Sequence, residues 1–532
     1  MHKLSSKLIK TLKLDCKTIK QVHQVHAQAI TTGLISFHPP TPFLAQILHA
    51  FTCLLATFSP SISTDPTFSS YVTALFNLIP DPSTFCYNTI IRAHTLLSSP
   101  ETALALYAKM CQLSIPPDTH TLPFALKACA RMNSFSLAKA LHCQALKLGF
   151  IADLFVCNNL IHVYSTAGDV HNAYKLFDRS SYRDTVSYNA MIDGFVKAGD
   201  TVKARELFDQ IPKKDAVSWG TLLAGYAKLD RSREAIDLFD QMLVLGVKPD
   251  NIGLVCALSA CAQLGELEKG KRIHEYILQD RIQIDAYLVT GLVDLYAKCG
   301  CIETARELFE SSREKNLYTW NAILVGFAMH GHGKLLFDYL TRMADAGIKP
   351  DGVTFLGVLV GCSHAGLTNE ARRLFTEMEG VYGVPKELKH YGCMADLLGR
   401  AGLVEEAVEM IEKMPMGADV YVWGGLLGGC RMHGNTEVAE KAAQRVIAIK
   451  PEDGGVYSVL ANVYANAERW DDLVRMRRLS DRTRVNKSAG CSLIQLNGVS
   501  HEFVAGDDAH PLAEEIHLVL NVLEQHKSEG VC

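Results

Sequence analysis

The chain repeats itself at a fixed spacing, and this repetition limits its fold more than any other feature of the sequence. The string at 87–91 returns in related form at 188–192, and the string at 219–223 returns at 320–324, each time 101 residues later. The Ala-x-x-Leu-Phe string at 173–177 returns after a shorter step of 31 residues. Internal periods of roughly 20–50 residues are typical of stacked repeats, so the sequence predicts an array of units of unequal length.

Each unit reads as two helices. Residues 188–197 form a first apolar helix, and Ala198-Gly199-Asp200 supplies the turn that follows it. In the second helix, apolar residues recur at the spacing of one helix face at Ala204, Leu207, Phe208 and Ile211. One helix pair cannot bury its apolar face alone, whereas stacked pairs can. The pattern therefore predicts an all-α fold, a right-handed superhelical α-solenoid of stacked helix-turn-helix repeats with an extended binding surface.

The composition of the chain argues against several classes of protein. The 53 Lys and Arg residues against 57 Asp and Glu give a net charge of −4, which is not the basic footprint of an ordinary nucleic-acid-binding protein. No apolar run is long enough to predict a membrane span. The 16 cysteines include no Cys-x-x-Cys pair, so we expect buried structural thiols and no metal site.

The first 20 residues contain six lysines and a single acid, Asp15. This composition, together with Ser5 and Ser6, marks residues 1–20 as a candidate organellar targeting segment. A basic first helix of the fold is the alternative reading.

The repeated strings resemble the pentatricopeptide-repeat (PPR) family, specifically its plant class of alternating P, L and S units, over nearly the whole chain. We expect degenerate N-terminal units over 21–83 and the main array over 84–419. The units of the array are 84–118, 119–153, 154–184, 185–215, 216–250, 251–285, 286–316, 317–351, 352–387 and 388–419.

The remainder of the chain resembles the C-terminal motifs of the same class. Residues 420–487 are similar to two E-type motifs, 420–453 and 454–487, and residues 488–532 resemble the E+ tail that precedes the DYW deaminase domain in longer relatives. Two residues depart from that pattern, because Ala489 stands at the usual proline and Leu493 at the usual tryptophan.

The resemblance implies that each unit reads one unpaired base with its fifth and last residues. It associates uracil with four Asn/Asp pairs, which are Asn88 with Asp118, Asn158 with Asp184, Asn189 with Asp215, and Asn321 with Asp351. It associates adenine with Thr290 and Asn316, whereas Gly220 with Asp250 has no side chain at the fifth position. Long units place Pro123, Val255 and Leu356 there, which cannot donate hydrogen bonds. A unit-ending Asp is also a good cap for the next helix.

The resemblance also implies that the second residue of a unit packs on the face of the base. These residues are Phe85, Phe155, Val186, Val217, Tyr287 and Tyr318. Ordinary packing between helices is the alternative for each of them. In editing relatives, unit 388–419 lies over the fourth nucleotide before the edited cytidine. That register places U at −6, A at −7, and U at −10, −11 and −13.

No enzyme signature occurs in the sequence. A zinc deaminase needs His-x-Glu and Pro-Cys-x-x-Cys, and the chain has neither. Phosphate-binding and nucleophile motifs are absent as well. We therefore expect no catalytic residues, no metal, no cofactor and no small-molecule substrate.

The resemblance implies a single-stranded RNA-binding factor of a mitochondrion or chloroplast, with mitochondrion preferred, that specifies a C-to-U editing site. Residues 420–532 would recruit a deaminase in trans and contact other editing proteins, above all through 490–511 and 514–523. Organellar splicing, RNA stabilisation or translation, and a protein-binding scaffold, are the alternative functions. The alternative for the tail is that residues 490–523 only cap the end of the array.

Overall fold

The computed structural model describes residues 8–12, 16–34, 41–56, 66–482, 490–496, 499–506 and 509–529. Ala489 and part of the candidate targeting segment lie outside these residues. The chain divides into two compact units, one of residues 1–230 and 241–250 and one of residues 231–240 and 251–532. Among the helices that are described, none is both long enough and apolar enough to span a bilayer.

The first unit is built of α-helices. Its helices are α1 (Ile19–Thr31), α2 (Thr41–Leu55), α3 (Pro66–Asn77), α4 (Thr84–Leu96), α5 (Pro100–Gln112), α6 (Thr121–Arg131), α7 (Phe135–Lys147), α8 (Leu154–Thr166), α9 (Val170–Arg179), α10 (Thr185–Lys197), α11 (Thr201–Gln210) and α12 (Ala216–Lys228). A 3-10 turn, Phe150–Ala152, precedes α8. Helix α13 (Ser232–Val244) is divided between the two units.

The second unit continues the same pattern and ends in a hairpin and a helix. Its elements are α14 (Asn251–Leu264), α15 (Leu267–Gln279), α16 (Ala286–Lys298), α17 (Ile302–Ser311), α18 (Leu317–Met329), α19 (Gly333–Asp345), α20 (Gly352–Ala365), α21 (Thr368–Gly380), α22 (Leu388–Arg400), α23 (Val404–Glu412), α24 (Val420–His433), α25 (Thr436–Ile449), α26 (Gly454–Asn466), α27 (Trp470–Arg482), β1 (Cys491–Leu496), β2 (Val499–Val504) and α28 (Ala513–Glu529).

Side-chain caps set where the first helix of a repeat begins. The Asp184 carboxylate accepts the backbone N–H of Ser187, and Asp215 does the same for Ser218, each at 2.8 Å. Asn316 and Asp351 cap α18 and α20 in the same way. Such caps satisfy N–H groups that the helix itself leaves without partners. The turn into α11 needs Gly199, whose φ of +80° is costly for any residue with a Cβ.

The repeated Ala-x-x-Leu-Phe strings supply the core. Ala173, Ala204 and Ala305 are fully buried. The phenylalanine of each string packs edge-on against the aromatic residue at the fourth position of the next repeat. These pairs are Phe177 with Tyr188 (5.1 Å between ring centroids), Phe208 with Trp219 (4.8 Å) and Phe309 with Trp320 (4.7 Å). Each repeat thus buries the apolar face of its neighbour, which confirms the predicted stack of helix pairs.

The tail adds an element that the repeats did not predict. Strands β1 and β2 form an antiparallel hairpin whose register pairs Cys491 with Val504 and Leu496 with Val499. His510 packs against the hairpin, with its Nε2 3.0 Å from Nδ1 of His501 and its ring stacked on Phe503. The fold is an α-solenoid, as predicted, with this small hairpin near its C-terminal end.

Candidate nucleic-acid interface

Three of the four predicted Asn/Asp pairs are joined by hydrogen bonds in the structure. The Asn88 amide nitrogen donates to Asp118 Oδ1 at 2.9 Å and lies 3.1 Å from Oδ2. Asn158 donates to Asp184 Oδ1 at 3.0 Å, and Asn321 to Asp351 Oδ1 at 3.1 Å. Each pair therefore links the first helix of one repeat to the residue that caps the first helix of the next.

The amide oxygens of these asparagines also have fixed partners. In each case, a hydroxyl from the third residue of the following repeat donates to the amide oxygen at 2.6 Å, from Thr121 to Asn88, from Ser187 to Asn158 and from Thr354 to Asn321. The asparagines are only 6–8% exposed. An amide nitrogen carries two hydrogens, so one remains after the carboxylate has taken the other.

The carboxylates are ionised at neutral pH. Burial by itself would raise the pKa of Asp118, but the hydrogen bonds donated by Asn88 and Thr121 outweigh it and hold the pKa below its ordinary value. The pKa values of Asp184 and Asp351 are lowered in the same way against the opposing effect of burial. An ionised carboxylate only accepts hydrogen bonds, which fixes the amide nitrogen of each asparagine toward it.

The remaining predicted pairs are arranged differently. No hydrogen bond joins Asn189 to Asp215, and the enclosed amide oxygen of Asn189 has no partner. The Ser218 hydroxyl donates to Asp215 at 2.8 Å, a contact that Ser187 and Thr354 also make with the aspartates of the bonded pairs. Thr290 reaches its predicted partner indirectly, because its hydroxyl lies 2.9 Å from that of Thr319, which in turn donates to Asn316 at 3.0 Å.

The fifth positions without a polar side chain fall into two groups. At Gly220 the Asp250 carboxylate lies beside the empty position, and a Cβ there would be in ordinary contact with its Oδ1 at 3.4 Å. In the long units, Pro123 is buried, and Val255 and Leu356 are partly buried. None of the three can donate a side-chain hydrogen bond.

The second residue of each repeat points away from the core. Phe85, Phe155, Val186, Val217, Tyr287 and Tyr318 are 43–67% exposed. Packing between helices, the alternative considered for these residues, would have buried them. Their role in stacking on bases stays a prediction, but the surface that stacking requires is exposed.

Sequence reasoning missed three further residues of this kind. Ile252, Val353 and Tyr421 are exposed at the second position of the segments that begin at 251, 352 and 420. Only their position in the repeat could have identified them. Ile252 and Val353 belong to units whose fifth residue offers no side-chain hydrogen bond, so no predicted base contact drew attention to them. Tyr421, at 80%, is more exposed than any of the six predicted residues.

The described part of the chain contains no group of three or more His, Cys, Asp or Glu side chains placed to hold a metal ion. Every cysteine in that part is a free thiol, and six are buried. Burial raises the pKa of several of these thiols, among them Cys261 and Cys362 to about 12. These cysteines behave as small apolar residues of the core.

Comparisons with known proteins were made for family models, whole sequences and solved structures. The PPR repeat model matches residues 85–115, 155–181, 186–215, 287–317, 353–381 and 389–416. Related models, the PPR repeat family and the pentatricopeptide repeat domain, match 214–263 and 306–365. The E motif model matches 433–495. This last match overlaps the two E-type motifs expected over 420–487 and reaches into β1.

Whole-chain relatives carry the same repeats. The chain is 57% identical over 489 residues to the pentatricopeptide repeat-containing protein At5g61800 of Arabidopsis thaliana, covering 90% of this chain and 97% of that protein. It is 38% identical over 613 residues to the protein At1g08070, chloroplastic, of the same organism, covering 96% and 81%. The fold is similar to that of the crystal structure of the pentatricopeptide repeat protein PPR10 from maize, with a TM-score of 0.50 at 16% identity over 91% of this chain and 84% of that one. The chain therefore belongs to the pentatricopeptide-repeat family, in the subgroup that carries an E motif.

Proposed function

We propose that this protein binds one single-stranded RNA sequence-specifically and that successive repeats each address one nucleotide. The observation that carries this proposal is the recurrence of one arrangement, an oriented asparagine amide beside an exposed second-position side chain. An unpaired base offers both its Watson–Crick edge and its ring face, and this arrangement addresses both. A protein-binding scaffold would not need the same polar pair at one position of several repeats.

The proposal extends to C-to-U editing, with the protein as the factor that selects the site and not as the enzyme. Support comes from the E motif match at 433–495 and from the tail. Helix α28 exposes an apolar stripe, with Leu518, Val519 and Leu523 at 55–68% exposure. An apolar surface of this kind marks a protein contact. The proposed partner on this surface is a deaminase acting in trans.

We propose an organellar location, because a relative that is 38% identical is named chloroplastic and because the first 20 residues are rich in lysine. Between the two organelles, the mitochondrion is the preferred expectation. Import of a fluorescent fusion of the full chain into one organelle tests this part of the proposal directly.

The RNA-binding proposal is tested with purified full-length protein and synthetic single-stranded RNA. The probe has U at −6, A at −7, and U at −10, −11 and −13 relative to a marked cytidine. Single substitutions at these positions are expected to weaken binding, by about 1–3 kcal/mol for each base that loses its contact. Substitutions beyond the 5′ end of the register serve as the control. Equal affinity for the probe and for a scrambled RNA of the same composition would contradict the proposal.

The editing role is tested in a plant that lacks the protein. Sequencing of organellar transcripts is expected to show one or a few cytidines that are no longer edited, each preceded by a sequence that fits the register. Rescue with Leu518→Glu is expected to restore RNA binding but not editing, because the charge disrupts the apolar stripe. Rescue with Asn521→Ala, a change at an exposed polar residue of the same helix, is the control. Normal editing at every site would contradict the role.

A further inference from the structure

The C-terminal helix α28 is joined to the hairpin of β1 and β2 by a histidine that comes just before it. Side chains alternate between the two faces of the hairpin, so His501 and Phe503 lie on one face and Glu502 on the other. The His510 ring packs on the first of these faces, with its centroid 4.8 Å from that of Phe503 and 5.2 Å from that of His501. One side chain therefore connects the start of α28 to β2.

The hydrogen bonds of the two imidazoles determine which ring nitrogens carry a proton. His510 Nδ1 lies 3.1 Å from the backbone nitrogen of Leu512 and must accept its hydrogen, because a backbone N–H can only donate. The ring proton of His510 is therefore on Nε2, which donates to Nδ1 of His501 at 3.0 Å. His501 then carries its own proton on Nε2. Both rings are neutral in this arrangement.

An additional proton on either ring breaks this chain of bonds. On His510 it would be placed on Nδ1, facing the N–H of Leu512, and on His501 it would face the N–H of His510. The N-terminus of α28 acts in the same direction, since the positive end of a helix dipole disfavours a nearby cation. Stacking on Phe503 tolerates a positive charge, so the sensitivity to protons comes from the hydrogen bonds.

Two other histidines of the chain bond in a way that accommodates a proton. The Nδ1 atoms of His142 and His274 lie 2.9 Å and 3.0 Å from the hydroxyl oxygens of Tyr164 and Tyr296. A hydroxyl group both donates and accepts, so it can turn to accept from a protonated ring. The backbone N–H beside His510 has no such freedom.

The charged groups around the two rings offer no replacement bond. Among the described residues, no carboxylate is bonded to either ring. Glu502 points to the opposite face, where its Oε1 lies 3.1 Å from Sγ of Cys491, and the residue opposite His501 in the hairpin is the apolar Ile494. The titratable groups at the start of α28 are exposed, and these are Glu514, Glu515 and His517. Asp507 and Asp508 lie outside the described residues.

We propose that His501 and His510 form a proton-sensitive latch, which holds α28 on the hairpin while both imidazoles are neutral and releases it when either takes up a proton. The apolar stripe of α28 then has one fixed orientation at neutral and alkaline pH and loses it in acid. The latch itself is independent of RNA binding. Its consequence for a partner on the stripe rests on the proposed function.

Hydrogen–deuterium exchange of the full-length protein, followed by mass spectrometry, tests the latch at pH 7.5 and pH 5.5. After correction for the intrinsic effect of pH on exchange, the peptide that covers α28 is expected to exchange at least about tenfold faster at pH 5.5. A tenfold change follows when the released form takes up one proton at the ordinary histidine pKa of about 6.5 and the latched form takes up none. Helix α26 contains no histidine and is the internal reference, whose corrected exchange should not change.

Substitutions separate the two histidines from general effects of acid. The double variant His501→Asn/His510→Asn retains groups that can form hydrogen bonds but cannot titrate, so α28 is expected to exchange at one corrected rate at both pH values. His517→Asn, at an exposed histidine of the same helix, is the matched control and should keep the pH dependence of the parent. Phe503→Leu removes the stacking partner and should speed exchange at both pH values.

Two results would overturn the latch. One is a corrected exchange rate of α28 in the parent protein that is the same at pH 7.5 and pH 5.5. The other is a tenfold pH effect that persists in the double variant. Binding of the register RNA is measured separately, and neither result bears on it.

Discussion

Under the proposed function, single asparagines have two tasks in this protein. Each of Asn88, Asn158 and Asn321 is almost fully buried, and each donates to the carboxylate that ends its own repeat and accepts from a hydroxyl of the next repeat. A buried amide without hydrogen-bond partners would lower the stability by about 1–3 kcal/mol, so the fold needs these contacts even when no RNA is bound. They also orient the amide, and an oriented amide is what base recognition requires.

Asn158→Ala is therefore expected to weaken binding of the register RNA by about 1–3 kcal/mol and to remove the preference for U at −11. Asn159→Ala is the matched control, because Asn159 is the next residue of the same helix and bonds only to the carbonyl of Phe155. Affinity is measured by titration with labelled RNA, and thermal unfolding checks that both variants stay folded. Equal effects of the two substitutions would count against the reading role of Asn158.

At this scale the sequence predicted three Asn/Asp pairs that hydrogen bonds join, but not how each residue is held. The positions followed from the repeat and from the family resemblance. The missing bond between Asn189 and Asp215 did not, because this pair follows the same sequence pattern as the three bonded pairs. The exposure of Tyr421 did not either, because 421 follows the last unit of the predicted array.

Among the helices, α22 begins in an unusual way. Its third residue is His390, where the two preceding repeats have Thr319 and Thr354. The ring is fully buried, with Nδ1 accepting the Glu387 N–H at 3.0 Å and Nε2 donating to the Gly352 carbonyl at 2.7 Å. Burial lowers the pKa of His390, with the nearby Lys389 acting in the same direction. The helix start thus depends on a neutral imidazole.

Stability should accordingly fall as the pH drops below about 6.5, where the histidine of the unfolded chain takes up a proton and the folded one resists it. His390→Thr is expected to lower the Tm at pH 7.5, since the bond to Gly352 is lost. Between about pH 7.5 and pH 5.5, however, the free energy of unfolding is expected to fall by about 1 kcal/mol less in the variant than in the parent protein. His171→Thr, at an exposed histidine, is the control. Parallel Tm curves for parent and variant would contradict this account.

The elements themselves show what a sequence can and cannot predict. First helices begin at Thr84, Leu154, Thr185 and Leu317, the residues at which the repeat pattern placed the units, because a capping residue precedes most of these starts. The hairpin of β1 and β2 escaped prediction. Each strand has six residues, too few for an alternating pattern to stand out from a short apolar run.

For the molecule as a whole, the net charge of −4 limits how it can hold RNA. Several cations on the first helices are already paired with acids one turn away. Lys197 lies 2.6 Å from Asp193, Lys298 2.9 Å from Asp294, and Arg400 2.8 Å from Asp396. Fewer positive charges are left to displace counterions from the RNA, so contacts to bases must supply a large share of the affinity.

The affinity for RNA is therefore expected to depend only weakly on salt, with a slope of log K against log salt concentration shallower than about −3. Asp193→Asn should release Lys197, which lies on the same helix face as Asn189, and steepen the slope by about 0.7. Asp209→Asn, which breaks the comparable pair with Arg205 on a second helix, is the control. A steep slope in the parent protein would contradict the account.

The double use of the carboxylate that ends a repeat has a consequence for how such proteins can change their targets. Because Asp184 or Asp351 both starts a helix and bonds the preceding amide, replacing it loosens the joint between neighbours and, under the proposed function, the contact with RNA as well. The fifth residue does not begin a helix, and in this chain it ranges from asparagine and threonine to proline, valine, leucine and glycine. New target preferences should therefore arise by mutation at the fifth position, while the closing residue stays within the few types that can begin a helix.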